Sequence, residues 1–405
     1  MESKIIELNE EPEPSGSPVD FSNTEIAFSF KSDFELKRTA LLFRLMNSPM
    51  LVNISSKLAL WAIKLRFPFA ETIIKSTIFK QFVGGDTILH SQKTIDKLYH
   101  LDTLTILDYG AEGKSKEEDL DEVMYENLKA LEMAAANNIV PVISIKITGL
   151  VKNEILEKLN SGLELDKREQ NLFSKLENRL DKICSKASEL GVGVFIDAEE
   201  SWIQKPIDQL AMEMMEYYNK EKVIVYNTYQ CYQHSKLAQL KKDHQIAQAK
   251  DFIFGAKLVR GAYMEKENKR ALEMGYESPI HKTKDATDHD YDEAVLYCLE
   301  NYETIGFCNA THNLHSNKVM ADEIINRGLD KTHAHINFCQ LYGMSDYITF
   351  NLANAGFNVA KYVPYGPVKE VIPYLIRRAQ ENTSITGETS RELSLLNMEI
   401  TRRRL

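Results

Sequence analysis

The sequence predicts an α/β fold: a (β/α)8 barrel with an N-terminal helical extension. From Leu101 onward, short apolar runs rich in β-branched and aromatic residues alternate with longer segments of helical periodicity. Near-continuous apolar strands joined by helices indicate a parallel sheet covered on both faces. Eight such units over about 280 residues match the size of a TIM barrel.

A doubly wound parallel sheet is the alternative to a barrel for this pattern. Such a sheet binds its dinucleotide through a G-x-G-x-x-G motif directly after the first strand, and this sequence has none there. The GVG at 191–193 lies at the start of a predicted strand, so it does not provide the motif. The barrel is therefore the predicted fold, with strands at 103–110, 140–147, 192–198, 222–229, 252–259, 305–311, 335–341 and 357–363.

The chain divides into four predicted segments. Residues 1–22 are acidic and proline-rich, which is typical of a disordered tail, and residues 23–100 have the periodicity of a helical extension. Residues 101–385 form the predicted barrel domain, and residues 386–405 form a helical C-terminal tail. The extension is either a helical layer packed on the barrel, which we favour, or an amphipathic element at a membrane surface.

Composition excludes several functional classes. The 405 residues carry a net charge of −10 and no basic stripe, which disfavours nucleic-acid binding. The five cysteines are scattered without a C-x-x-C pair, as expected of reduced thiols in a cytosol-like compartment. The sequence shows no apolar signal core, no arginine-rich presequence and no apolar run long enough to span a membrane.

Polar residues gather at the C-terminal ends of the predicted strands, where TIM barrels carry their active sites. One charged residue in an apolar strand is often a paired structural group, but charge at most strand ends indicates a functional site. The mixture of lysines, arginines and carboxylates suits a zwitterion together with an anionic cofactor. The residues are Asp108, Glu112, Lys146, Asp197, Asn227, Gln230, Lys257, Arg260, Thr311, His312, Gln340 and Tyr362.

The segment 361–382 reads as a strand, a loop and a helix that begins near Val368. On that helix an aromatic ring, two guanidiniums and a carboxylate share one broad face, because they are three and four residues apart. Arginines can hold a carboxylate with two hydrogen bonds, and a tyrosine can cover an apolar ring. An exposed Arg377–Glu381 ion pair is the simpler interpretation of the helix considered alone. The face consists of Tyr374, Arg377, Arg378 and Glu381.

A metal site is the alternative that the histidines raise. His333 and His335 precede the seventh predicted strand, which places them at the end of the barrel away from the active site. Of the His312-x-x-His315 pair, only His312 lies near a strand end. We therefore predict no metal.

Six motifs in order give the sequence a resemblance to the proline dehydrogenase family. The motifs fall at the third to the eighth predicted strands, and a seventh stretch, PYLIRRAQEN, follows the last motif. The resemblance as a whole covers roughly residues 101–384 and so spans all eight predicted strands. With LVRGAY and YVPYGP, this sequence is similar to the eukaryotic-like, monofunctional members of the family. The motifs are IDAEES (196–201), NTYQCY (227–232), GAKLVRGAYM (255–264), ATHN (310–313), FCQLYGM (338–344) and YVPYGP (362–367).

The resemblance implies a distorted (β/α)8 barrel that binds FAD and oxidises L-proline to Δ1-pyrroline-5-carboxylate. It implies hydride transfer to the flavin N5 and delivery of the electrons to a membrane quinone, as the first step of proline catabolism. The implied catalytic residues are Lys146, Asp197 and Lys257. The last stands where many bacterial members have arginine, which we interpret as a subtype difference.

The resemblance also assigns binding residues. The two arginines of the helix face hold the proline carboxylate, and three side chains wall the pyrrolidine ring against the flavin. The implied substrate-binding residues are Lys146, Leu341, Tyr362, Tyr374, Arg377, Arg378, Glu381 and, as an ion-pair candidate closing the site, Glu112. The implied cofactor-binding residues are Ala198, Asn227, Gln230, Lys257, Arg260, Gly261, Ala262, Thr311 and His312.

Three other functions compete with proline oxidation. In a trans-4-hydroxy-L-proline dehydrogenase we expect a small residue in place of Tyr362, to leave room for the 4-hydroxyl. The paired arginines and YVPYGP disfavour methylenetetrahydrofolate reductase, another flavin barrel, and the filled chemical positions disfavour a non-catalytic binding protein. The expected location is the cytoplasm with peripheral contact to a bacterial inner membrane, and the mitochondrial inner membrane is the alternative. The sequence does not predict the oligomeric state.

Overall fold

Eight parallel strands form a closed barrel in sequence order, each hydrogen-bonded to the next and β8 to β1. This is a computed structural model that describes residues 19–65, 67–110, 114, 116–384 and 388–405, without the side chains of 64, 380–384 and 388–390. Each of the eight strands overlaps its predicted run, so the predicted barrel is confirmed. The strands are β1 Leu104–Tyr109, β2 Val142–Ile145, β3 Gly193–Ile196, β4 Val225–Gln230, β5 Phe254–Val259, β6 Ile305–Ala310, β7 Ile336–Leu341 and β8 Val359–Tyr365.

Helices follow most strands and form the outer layer, while others precede β1 or follow β8. Two short turns of other helical types, Lys75–Phe79 and Ile147–Gly149, complete the described helical structure. The helices are α1 Thr24–Phe28, α2 Asp33–Met46, α3 Pro49–Lys64, α4 Ala70–Ile74, α5 Lys80–Phe82, α6 Ile88–Tyr99, α7 Glu117–Ala135, α8 Asn153–Asn160, α9 Lys167–Leu190, α10 Ser201–Tyr218, α11 Lys236–Ala249, α12 Met264–Met274, α13 Lys284–Glu300, α14 Leu314–Asn326, α15 Asp346–Asn354, α16 Val368–Ser384 and α17 Glu388–Arg402.

The helix after β8 does not pack on the outer wall of the barrel as the preceding helices do. The apolar residues of α16, among them Val371 and Leu375, join a cluster with Val52 of α3 and Phe79 of the turn at Lys75–Phe79. Helix α6 contacts β1 and β8 on the outer side instead. This exchange frees α16 to lie at the C-terminal end of the strands, where the barrel is open.

The N-terminal extension is helical and contacts the barrel, and α17 closes over it by packing on α1 and α2. Of the predicted tail, residues 1–18 lie outside the described residues. Val19 and Phe21 are buried in the main core, so the packed chain begins inside the segment predicted to be disordered. Two apolar residues among acidic and proline residues were too weak a signal to place that boundary correctly.

Part of the extension leaves apolar surface uncovered. Within the described residues, no helix combines the length and apolarity needed to cross a membrane. Helix α3, the following loop and α4 nevertheless expose large apolar side chains, which we call the apolar patch. Its members are Met50, Leu51, Ile54, Leu58, Leu60, Trp61, Leu65, Phe67, Phe69 and Ile73.

Candidate active site

A buried carboxylate at the mouth of the barrel accepts hydrogen bonds from side chains of three other strands. Asp197, which directly follows β3, accepts a hydrogen bond from Lys146 Nζ at 2.7 Å and another from Lys257 Nζ. Ser144 Oγ donates to it at 2.7 Å, and the hydroxyl of Tyr362 at 2.8 Å. Both carboxylate oxygens are therefore fixed, and the carboxylate cannot rotate without breaking charged hydrogen bonds.

Strand alternation explains why these side chains meet. Residues two apart on a strand point to the same face, so Ser144 and Lys146 both face the barrel interior. The register pairs Thr228 with Lys257 and Leu341 with Tyr362, which places these residues on the interior face too. Ser144 was not predicted as a site residue, although its place two residues before Lys146 is the signal that would have identified it.

Inside the barrel the described lysines and aspartates balance in charge, because Lys146 and Lys257 face Asp108 and Asp197. Burial alone would raise the pKa of Asp197, but the ammonium groups of Lys146 and Lys257 outweigh burial and lower it. Burial, followed by the carboxylates of Asp108 and Asp197, keeps the pKa of Tyr362 well above its usual range. Asp197 is thus an anion and Tyr362 a neutral donor near physiological pH.

The floor under Asp197 is aromatic and apolar. Lys257 Nζ lies 5.1 Å from the ring centroid of Phe195 and 5.2 Å from that of Tyr362, close enough for cation–π attraction. These rings belong to an interior cluster with Tyr226 and with Leu341 at its edge. A ligand above Asp197 therefore meets charge on one side and apolar walls on the other.

Helix α16 lies across the open end of the barrel. Gly110 after β1 makes room for it, because a Cβ on Gly110 would lie 2.7 Å from Val371. Leu341 packs against both the interior cluster of Tyr362 and the α16 cluster that includes Tyr374. The structure thus brings these three predicted substrate-binding residues together.

The arginine face of α16 is not a solvated surface. Tyr374 and Arg378 are buried, with the Arg378 guanidinium 5.3 Å from the Tyr374 ring centroid, and Arg377 is half-buried. The burial of Tyr374 and Arg378 does not fit a solvated face, whereas the Arg377–Glu381 pair itself stays an alternative. Glu112 and the side chain of Glu381 lie outside the described residues.

Arg260 follows β5 and is held by β6 and its neighbouring helices. Its Nε donates to Asp288 at 2.7 Å, Nη1 to Thr311 Oγ1 at 2.6 Å and Nη2 to Ser316 Oγ at 2.9 Å. The guanidinium lies 4.3 Å from the Tyr291 ring centroid. These contacts orient a cation and a hydroxyl side by side at the ends of two adjacent strands.

The turn after Arg260 depends on a glycine. Gly261 has φ 137°, a region that L-residues rarely adopt, and an added Cβ would lie 2.4 Å from the Tyr232 ring. Gly261 and Ala262 are both exposed at the rim. Small residues with open backbone allow a ligand to approach the main chain closely.

Gln230, Ala198 and Glu199 line the neighbouring strand ends. Ala198 is buried, and Gln230 is on the interior face of β4 and donates Nε2 to the Glu199 carbonyl at 2.8 Å. Burial raises the pKa of the Glu199 carboxyl to about 7 despite hydrogen bonds from Thr148. Glu199 is not among the predicted site residues.

His312 is half-buried after β6 and hydrogen-bonds Ser345 Oγ through Nδ1 at 2.9 Å. Burial, then the charges of Lys361, Arg378 and Arg260, lower the pKa of this imidazole to about 3. His312 is therefore a neutral donor or acceptor near physiological pH. Because Arg378 of α16 and Arg260 after β5 both lower the pKa of His312, α16 lies near the ends of β5 and β6.

One predicted cofactor residue faces the wrong way. Asn227 lies between the inward-facing Tyr226 and Thr228, so its side chain points out into the helix layer. There it donates to Asp208 Oδ1 at 3.0 Å, and Asp208 in turn accepts from Lys236. The prediction for Asn227 is therefore corrected to a structural role, because the register pairs it with the outward-facing Ala256.

The histidines do not form a metal centre in the described chain. His335 immediately precedes β7, at the N-terminal end of the barrel, and hydrogen-bonds the Tyr302 carbonyl. His315 is mostly exposed, whereas His312 is half-buried. No three His, Cys, Asp or Glu side chains of the described residues come together as metal ligands.

Comparison with known proteins places the site in context. A family model described as "Proline dehydrogenase" matches residues 91–391. "Proline dehydrogenase 1, mitochondrial" of Dictyostelium discoideum is 35% identical over 95% of this chain and 73% of its own length. "Hydroxyproline dehydrogenase" of Xenopus laevis is 32% identical over 93% of this chain and 88% of its own length.

Other relatives are longer than this chain. The human "Proline dehydrogenase 1, mitochondrial" is 41% identical over 58% of this chain, and that match spans 40% of the human protein. Proline utilization A from Bdellovibrio bacteriovorus superposes with a TM-score of 0.70 at 20% identity, covering 90% of this chain and 37% of its own. That likeness supports the barrel and its extension. The family model and the relatives together confirm the predicted enzyme class: the chain belongs to the proline dehydrogenase family.

Proposed function

We propose that this protein oxidises L-proline to Δ1-pyrroline-5-carboxylate with bound FAD and passes the electrons to a quinone. The observation that carries the proposal is Asp197, fixed by Lys146, Lys257 and Tyr362 inside the barrel and covered by a helix bearing paired arginines. An anchored carboxylate between ammonium groups, under guanidiniums and beside apolar walls, suits a small cyclic amino acid.

Each side chain has a distinct part in substrate binding. Arg377 and Arg378 hold the carboxylate of proline in the two-pronged manner that guanidinium allows. Leu341, Tyr362 and Tyr374 enclose the apolar ring carbons and exclude water. With Arg377 and Arg378, four cationic side chains of the site face the two carboxylates of Asp108 and Asp197. This excess of positive charge disfavours a protonated ring nitrogen, and only the neutral amine can lose hydride from the adjacent carbon.

The residues at the ends of β4 to β6 fit a flavin dinucleotide. Arg260 supplies a cation, Thr311 and His312 supply polar groups, and Gln230 reaches the interior face. The main chain at Gly261 is open to a ligand because glycine has no side chain. A larger residue cannot replace it, because its Cβ would collide with Tyr232. When bound, FAD accepts the hydride at N5, and the nearby cations favour the negative charge that reduction adds.

The electron acceptor and the location are further parts of the proposal. A quinone is a lipid-soluble acceptor, and the apolar patch on α3 gives the protein a surface suited to peripheral membrane contact. The names of the Dictyostelium and human relatives support the mitochondrial inner membrane, our alternative location, over a bacterial one.

A direct test is whether L-proline reduces a flavin bound to the purified protein. We expect a yellow protein whose visible absorbance bleaches on anaerobic addition of L-proline, with dithionite as the positive control. A protein that dithionite bleaches and proline does not would overturn the proposed reaction.

The variants Arg377→Met and Arg378→Met extend this test to the substrate grip. We expect each to keep its flavin and to lose bleaching by proline, because the arginines bind substrate rather than cofactor. Arg327→Met is the control, since Arg327 pairs with Glu323 on α14 at the surface. Loss of flavin in both site variants, but not in the control, would contradict the assignment.

Oxidation of trans-4-hydroxy-L-proline is the second candidate function. The specific observation in its favour is the similarity to the Xenopus protein, which covers most of both chains. Against it, the buried Tyr362 side chain is anchored on Asp197 and fills space in the ring wall. Proline therefore remains the proposed substrate.

A further inference from the structure

A cavity of about 430 Å³ lies on the outer side of β8, between the barrel and the helical extension. Residues from α2, α6, the β7–α15 turn and β8 line it. It is separate from the proposed proline site, because adjacent residues of β8 point to opposite sides: Tyr362 into the barrel and Lys361 into the cavity. Its volume is in the range of small-molecule sites.

The lining is strongly basic in a chain whose net charge is −10. Seven lysines and arginines line the cavity against three carboxylates. Asp346 pairs with Lys31 and Lys361, and Asp86 pairs with Lys75. The other four cations form no ion pair with any described carboxylate: Arg38, Lys80, Lys93 and Lys97.

Lys97 is an exposed side chain that lines the cavity together with other cations. Partial burial lowers its pKa, Glu35 opposes that effect, and Lys31 and Lys80 lower it further. Cations that repel one another around an open space are stabilised when an anion enters it.

The inner wall of the cavity is apolar and aromatic. Phe30 and Phe350 pack edge to face with centroids 4.6 Å apart, and Phe79 and Leu98 complete the wall. Lys97 Nζ lies 4.9 Å from the Phe30 centroid. A ligand that fills the cavity therefore needs an apolar or aromatic portion beside its charge, which inorganic phosphate lacks.

We propose that this cavity binds an organic phosphate, with the phosphate groups on the unpaired cations and the apolar portion against Phe30 and Phe350. Lysine and arginine both bind phosphate through charge-assisted hydrogen bonds. Two sources carry this chemistry: a soluble nucleotide, or the headgroup of an anionic phospholipid. The apolar patch continues through Ile73 into the cavity-lining Lys75, so a lipid headgroup can reach the site from a membrane surface.

The experiment measures binding by the full-length protein and does not depend on proline turnover. ATP and inorganic pyrophosphate are titrated calorimetrically, and vesicles of phosphatidylcholine with phosphatidylglycerol are tested by flotation. The site variant is Lys80→Glu with Lys93→Glu, because both side chains are exposed and lack ion pairs, so the fold tolerates the change. The control is Lys57→Glu, an exposed lysine of α3 outside the cavity.

If a soluble nucleotide is the source, ATP binds more tightly than pyrophosphate, and the double variant weakens ATP binding about tenfold or more. If a lipid headgroup is the source, vesicle binding falls by a similar factor in the double variant and much less in Lys57→Glu. The proposal is overturned if neither ATP nor vesicles bind, or if Lys57→Glu reduces vesicle binding as much as the double variant does. It is also overturned if binding is unchanged in the double variant.

Discussion

At the scale of single residues, Asp197 concentrates the electrostatics of the barrel interior. Two lysines, a serine and a tyrosine donate to it, and the carboxylate compensates two ammonium groups that would otherwise repel each other without screening by water. Removing one partner from a buried charged network leaves the others uncompensated. Asp197 therefore supports both the fold and the proposed substrate site.

Replacing Asp197 with asparagine tests this double role. We expect Asp197→Asn to lower the free energy of unfolding by about 3–5 kcal/mol and proline turnover by about a hundredfold or more, because two buried ammonium groups lose their counter-ion. Urea denaturation and single-turnover flavin reduction measure the two effects. Glu189→Gln, which removes an exposed pair with Lys186, should change stability by less than about 1 kcal/mol. Equal effects of the two variants would refute the role of burial.

Tyr362 combines two functions that two substitutions can separate. Tyr362→Ser removes the ring, and we expect it to raise the ratio of hydroxyproline to proline turnover by opening space for a hydroxyl. Tyr362→Phe keeps the ring but loses the hydrogen bond to Asp197, so it should slow both substrates without changing their ratio. If the ratio is the same in wild type and the serine variant, another residue sets the preference.

At the scale of elements, strand alternation determines which polar residues can reach a ligand. On β4 the sequence offers both Asn227 and Gln230, but only the second faces the interior, while the first ties the strand to α10 through Asp208. Three other strands follow the same rule. Ser144 and Lys146 face inward from β2, Lys257 from β5 and Tyr362 from β8. The sequence of a motif does not by itself show which of its side chains face the barrel interior.

The turn after β5 provides a prediction at this scale. Gly261 and Gly275 both have positive φ, but a Cβ on Gly261 would collide with Tyr232, whereas one on Gly275 would meet open space. We expect Gly275→Ala to lower the free energy of unfolding by about 1 kcal/mol through backbone strain. Gly261→Ala should lower it by at least about twice that, because the collision with Tyr232 adds to the strain. Urea denaturation measures both, and flavin content should fall only in Gly261→Ala. Similar effects of the two changes would count against the close approach at Gly261.

At the scale of the whole molecule, the helical extension both completes the site and exposes the apolar patch. Its helices support α16 over the barrel mouth through Val52 and Phe79, which explains how the arginine face stays in place. The opposite side of α3 remains uncovered, with Leu58 59% and Trp61 58% exposed. A continuous apolar surface of this kind is typical of an interaction site.

Trp61 makes the proposed membrane contact measurable. The chain has two tryptophans, so in a Trp202→Phe variant the fluorescence reports on Trp61 alone. We expect a blue shift on adding phosphatidylcholine–phosphatidylglycerol vesicles, and loss of that shift in Leu58→Glu. Leu272→Glu is the control, since Leu272 is 84% exposed on α12, outside the patch. A blue shift that depends on protein concentration without vesicles would instead indicate a second copy of this chain on the patch.

The sequence by itself determined the barrel, its eight strands and the residue types at the strand ends, because apolar periodicity and strand length are local properties of the chain. It also determined the family, since the motifs are specific and keep their order. Only the tertiary structure decided which side chains meet. Strand register brought Ser144 to Asp197 and turned Asn227 away, and the displacement of α16 made Tyr374 and Arg378 buried groups instead of surface ones. Register and helix placement depend on contacts between residues far apart in sequence, which no local pattern records.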